Sequence, residues 1–188
     1  NDILSQVPGF SITDTRDSKV YPIVHIGNQW WMAQNLNVGT MIPSTTDMTD
    51  NDILEKHCID NNSTYCDVFG GLYMWYEMMQ YSDTIEQGIC PSTWHIPSDE
   101  EWMELEVFLG MNWIQTYKMG FRGYRIGYKL METGTLHWEG PNPAATNEVN
   151  FNALPAGTYS PEHVSYQFEW LGTKADFLTA TDTAYTEV

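Results

Sequence analysis

The dipeptide Gly27-Asn28 constrains the fold of this chain more than any other short feature. It separates two β-rich runs within Val20–Ala33 ("VYPIVHIGNQWWMA"), and a two-residue turn of this kind closes an antiparallel hairpin. Side chains alternate across a strand, so the adjacent Trp30 and Trp31 must point to opposite faces of it. Pro22 has no amide donor, which places the first strand at an edge or gives it an irregular start.

A second local signal fixes a helix. In "GICPSTWHIPSDEEWMELE" (88–106), Ser98 and Glu101 form a capping box, and Asp99 and Glu100 bring negative charge to the positive end of the helix dipole. Trp102, Leu105 and Leu109 supply the buried stripe and Gly110 stops the helix. Trp94, His95 and Ile96 alternate as a short strand would, with His95 expected to be packed and hydrogen-bonded. The acids of this stretch thus have structural or solvated places. Glycoside hydrolysis would need two carboxyls facing each other across a cleft, which neighbours on one helix start do not provide. A second helix is expected in "LYMWYEMMQ", with Leu72, Trp75, Tyr76 and Met79 on one face.

Between these elements, residues 37–67 read as a long polar surface loop. It carries Cys58 and Cys66, whose spacing in a polar loop suggests a disulfide and an oxidising compartment. Zinc bound through His57 competes with that reading, but no C-x-x-C accompanies it. Asp60, Asn62 and Asp67 are weak calcium candidates in a loop without EF-hand spacing, and a solvated acidic loop is the favoured reading. No other cofactor is expected. Asn62-Ser63-Thr64 is also an N-glycosylation sequon. After Gly110 the chain is rich in Gly, Asn, Pro and aromatic residues, with a short helical piece near 129–132, anchors at Phe151, Leu154 and Trp138, and strand-like residues from Phe177. No repeat or linker divides the 188 residues, which read as one α+β domain with two short helices, a small mixed or antiparallel sheet and a long loop-rich region.

The formal charge of −17 disfavours phosphate backbones and anionic lipid, so nucleic acid is not expected as a partner. No apolar run is long enough for a transmembrane helix. The chain opens Asn-Asp-Ile-Leu without Met or a signal segment, as expected if a leader has been removed or if the sequence is a piece of a longer protein.

Six blocks, "IGNQWWMAQNLNVGT", "FGGLYMWYEMM", "GICPSTWHIPSDEEWMELE", "KLMETGTLHW", "GPNPAATN" and "FNALPAGTYS", resemble in order and spacing the Fibrobacter succinogenes major paralogous domain, over roughly residues 12 to 183. That resemblance implies a secreted or surface protein, including lipoproteins, of Fibrobacter or Bacteroidetes-type bacteria. "WHIPSDEEW" is also similar to a pattern of formylglycine-generating-enzyme-like domains, which implies a C-type-lectin-like fold. Two departures stand out. The family's "FWSST"-like block reads "FLTAT" here, without its Trp, and the family continues through further strands. The resemblance implies that those last strands carry a cysteine to pair with Cys90; otherwise Cys90 is a buried free thiol.

The functional expectation is a non-catalytic exported domain, extracellular or on the outer-membrane surface and lipoprotein-anchored in some settings, that binds a protein partner within a surface assembly. Tyr159, Tyr166, Phe168 and Trp170 are its candidate contact surface, with burial in the core as their alternative role. The alternative function is carbohydrate binding, with Trp30, Trp31, Trp138 and Trp170 as stacking candidates. The Glu-Pro-Asn, Gln-Pro-Asp and Trp-Asn-Asp motifs of calcium-dependent lectins are absent. No enzyme is expected, because formylglycine-generating chemistry needs a reactive cysteine pair and Cys90 has no second cysteine beside it in sequence. Thr84 and Thr183 fit an Asp-Ser/Thr-apolar pattern for O-glycans.

Overall fold

The structure is a computed structural model that describes residues 9–82, 87–118, 120, 122–162 and 167–181. β1 (Ser11–Thr13), β2 (Val20–Ile26) and β3 (Gln29–Met32) form an antiparallel sheet in that spatial order. Gly27 has a φ of 63° at the turn between β2 and β3, a conformation that glycine adopts without strain and that matches the strand twist. Ile26 pairs with Gln29 and Val24 with Trp31, and this register puts Trp31 into the core and leaves Trp30 outside.

β4 (Thr40–Met41) and β5 (Glu55–Lys56) pair in parallel, followed by α1 (Ser63–Phe69), α2 (Trp75–Met78), α3 (Asp99–Phe108) and α4 (Trp113–Thr116). β6 (Thr158–Tyr159) and β7 (Phe168–Glu169) close a last antiparallel pair. The α+β class is as expected, with four α-helices among the described residues in place of two.

α3 carries both halves of its capping box: the Glu101 amide donates to Ser98 Oγ at 3.2 Å, and the Ser98 amide to Glu101 Oε2 at 2.8 Å. Its stripe packs on the hairpin, with Leu105 and Leu109 buried and Trp102 edge-on to Trp31 at 5.3 Å. The hairpin tip abuts the end of the same helix, where a Cβ on Gly27 would lie 3.1 Å from the Phe108 ring. Phe151 and Trp138 are buried anchors, and Leu154 packs at the edge of a separate small cluster.

Several local expectations are corrected. Residues 37–67 are not a structureless loop, since they hold β4, β5 and the start of α1. The helix in "LYMWYEMMQ" begins only at Trp75; Leu72 instead forms a bridge with His57, Tyr76 is exposed, and Glu77 is buried with Met78 and Met79. The Glu77 carboxylate turns inward because it accepts the Glu55 amide at 2.7 Å. Trp94–Ile96 is irregular and pairs with no strand among the described residues, and His95 is exposed and not packed, although it is hydrogen-bonded to Glu101 at 2.8 Å. The helical piece near 129–132 is a 3-10 turn at Gly127–Lys129.

Among the described residues, buried apolar side chains fall into three clusters. The largest joins the hairpin and α3 around Trp31, Leu105 and Phe151; the second holds Met78, Ile89, Cys90 and Ile96; the third holds Ile59, Phe69 and Ala156. All three border one open groove.

Candidate functional site

The groove has a volume of about 840 Å³, within the range of ligand-binding clefts. Its floor is aromatic, with Trp102 lying 5.3 Å from both Trp31 and Phe177, and Phe151 6.0 Å from Trp31. The side along the hairpin is β3, and Trp30 and Trp31, which point to opposite faces, both line it. The groove therefore reaches the edge of β3, and Ile23 of β2, opposite Met32, shows that it also extends onto one face of the sheet. Asp176–Leu178 and Thr93–Pro97 also line it. The chain at 179–181 is tied back to the N-terminus of α3: the Ala180 amide donates to the Pro97 carbonyl at 2.9 Å, and Thr179 Oγ1 to Asp99 at 2.6 Å.

Cys90 also lines the groove; it is the free cysteine of the chain and is buried. Burial pushes its thiol up to about 12, so it is a neutral, apolar group at ordinary pH and not an activated nucleophile. The carbonyl of its neighbour Ile89 accepts the Arg16 guanidinium at 2.7 Å, and Arg16 also grips the buried Asp14. That bidentate contact holds the Asp14 carboxyl below its usual range and fastens the β1–β2 loop beside the groove. Glu101 is another lining residue. Burial raises its pKa, but the Ser98 amide and the His95 ring at 2.8 Å outweigh burial and hold the carboxyl low. The groove lining contains no Lys or Arg, and its carboxylates are Glu101 and Asp176.

The remaining candidates fall elsewhere. Cys58 and Cys66 form a disulfide with Cα atoms 5.2 Å apart, which rules out the zinc alternative for these thiols. His57 is fully buried, its Nδ1 3.2 Å from the Ile42 carbonyl and its ring 4.2 Å from Tyr159; burial lowers its pKa and keeps it neutral. Asn62 Oδ1 caps α1 through the Thr64 amide, and Asp67 Oδ1 accepts Asn37 Nδ2 at 3.3 Å. Asp60 is exposed, and among the described residues no three His, Cys, Asp or Glu side chains gather as a metal-ligand set.

Of the proposed contact aromatics, Tyr159 and Phe168 are cross-strand partners 5.6 Å apart and half buried, whereas Trp170 is exposed. Trp138 is buried, with its indole donating to the Ala153 carbonyl at 3.2 Å. Tyr166, Thr84 and Thr183 lie outside the described residues. The groove joins Trp30 and Trp31 to Trp94, Trp102 and Phe177, which no local pattern in the sequence connects; the one usable signal was strand alternation, which points one of Trp30 and Trp31 outward without saying which.

No helix among the described residues is long and apolar enough to cross a membrane. No curated protein and no solved structure matches the chain. The model of one family matches residues 24–187, nearly the whole sequence, and the chain belongs to that family, the Fibrobacter succinogenes major domain.

Proposed function

We propose that this is a non-catalytic, exported interaction domain that binds a protein partner at the cell surface through the groove beside β3. The observation that carries the reading is an open apolar groove with large apolar side chains at its mouth, Trp30 being 47% and Leu178 44% exposed. The Cys58–Cys66 disulfide supports an oxidising, exported setting. The neutral Cys90 thiol and the structural roles of Glu101 and Asp99 support a binding role over a catalytic one. We take the arrangement to be the C-type-lectin-like one, in which a hairpin and helix carry a loop-rich region, and the hairpin packed on α3 supports it.

The test places a photo-crosslinking amino acid at Trp94 and exposes the domain to the exported proteins of its source organism. A discrete protein adduct that disappears with Leu178→Glu is expected. An absence of protein adducts, with binding on a glycan array instead, would overturn the reading. That second reading has its own support: Trp30 projects outward beside Asn28 and Gln29, braced by Phe10 at 5.5 Å and His25 at 4.8 Å, as a sugar-stacking platform would.

A further inference from the structure

Building on the groove as a protein-binding site, we propose that its occupant is an extended apolar β-strand with basic flanks, supplied by a partner protein, that adds to the free edge of β3. The register defines that edge. The Ala33 amide donates to the Pro22 carbonyl at 2.9 Å, and β2 and β3 pair as Ile23–Met32, Val24–Trp31, His25–Trp30 and Ile26–Gln29. Hydrogen-bonded and non-hydrogen-bonded pairs alternate in an antiparallel ladder, so Trp31 and Gln29 bond to β2 while Trp30 and Met32 turn their amides and carbonyls away from it. The other side of β2 agrees, because the Ile23 amide donates to Phe10 of the β1 side at 2.9 Å. Among the described residues nothing bonds to the outward backbone groups of Trp30 or Met32, and the sheet order leaves β3 without a second neighbour.

These donors and acceptors repeat every second residue, about 6.8 Å apart, which is the spacing of a polypeptide strand. An added strand would satisfy them and drop alternate side chains onto the floor of Trp31, Trp102 and Phe177. Charge selects the source. The groove lining has Glu101, paired with His95, and Asp176, paired with Lys174, and it has no Lys or Arg, in a chain of net charge −17. A second copy would bring a further −17, whereas a different protein with Lys or Arg beside the strand is attracted.

The test uses the 188-residue chain and a dye-labelled peptide of alternating Val and Phe with two lysines at each end. Two further peptides carry backbone N-methyl groups on one or the other alternate set of amides, and a fourth replaces Lys by Glu. Anisotropy should show binding that falls at least about tenfold when one set of amides is methylated, much less with the other set, and also falls with Glu flanks. Amide exchange at Trp30 and Met32 should slow at least about tenfold in the complex. Equal binding of both methylated peptides, unchanged exchange at Trp30 and Met32, or no binding of any peptide would overturn strand addition. If the strand peptides fail while Leu178→Glu still abolishes the Trp94 adduct, the strand mode falls and the interaction reading stands; if both fail, both fall.

Discussion

Reduction of the Cys58–Cys66 bond should cost this domain about 2.5 kcal/mol of stability. The cysteines are eight positions apart, and a closed loop of that size removes about 8 cal/mol/K of entropy from the unfolded chain. In the native state little should change, because α1 keeps its Asn62 cap and the Ser44 amide still donates to Asn61 Oδ1 at 2.7 Å. The perturbation is a non-alkylating phosphine reductant, which leaves the sequence intact; Cys90 is a free thiol with or without it. The assay is urea unfolding followed by tryptophan fluorescence. With a slope of about 2–3 kcal/mol/M, the midpoint should fall by about 1 M. A fall below about 0.3 M, with the bond shown to be reduced by mass, would refute the reasoning: it would mean that the unfolded chain gains no freedom when the loop opens.

Three other outcomes are expected. Ser98→Ala should cost about 1 kcal/mol in the same unfolding assay, because it removes the acceptor for the Glu101 amide at the start of α3. Lys56 is buried and its amine is pushed down to about 8, chiefly by burial and then by Lys19, while it donates to Asn37 Oδ1 at 2.6 Å. The unfolded chain therefore binds more protons between about pH 8 and 10.5, so wild-type stability relative to Lys56→Met should rise across that window, by up to about 3 kcal/mol; a flat difference in pH-dependent urea midpoints would contradict this. Asp14 is held below its usual range chiefly by its hydrogen bond to Arg16, so its contribution is complete above about pH 4 and is lost as the pH falls below that. Asp14→Asn should cost about 2 kcal/mol near neutrality and flatten the acid limb of the stability profile, measured by urea midpoints from pH 2 to 7.

The parts of the fold that were legible in the sequence are those decided by neighbours. Gly27 needs only its own φ to turn the hairpin, and Ser98 reaches Glu101 within one helical turn. α1 was hidden because it buries only Cys66 and Phe69, and a cap and a disulfide substitute for an apolar stripe. α2 was misaligned because Leu72 is captured by a bridge to His57, a partner that helical periodicity cannot reveal. The groove was the least legible feature. It exists because Trp102 on α3 meets Trp31 from the hairpin and Phe177 from the far end of the chain, and no local pattern relates those three.

The division of the apolar interior into three clusters around one groove links occupancy to survival of the fold. A strand seated there would bridge the clusters into a continuous core, so the free energy of binding adds directly to that of folding. At a partner concentration of 100 times Kd the gain is about 2.7 kcal/mol, and the unfolded population falls about a hundredfold. Under the proposed partner-binding role, proteases acting on that unfolded population would degrade copies without a partner first, and the amount of this domain would follow the supply of its partner.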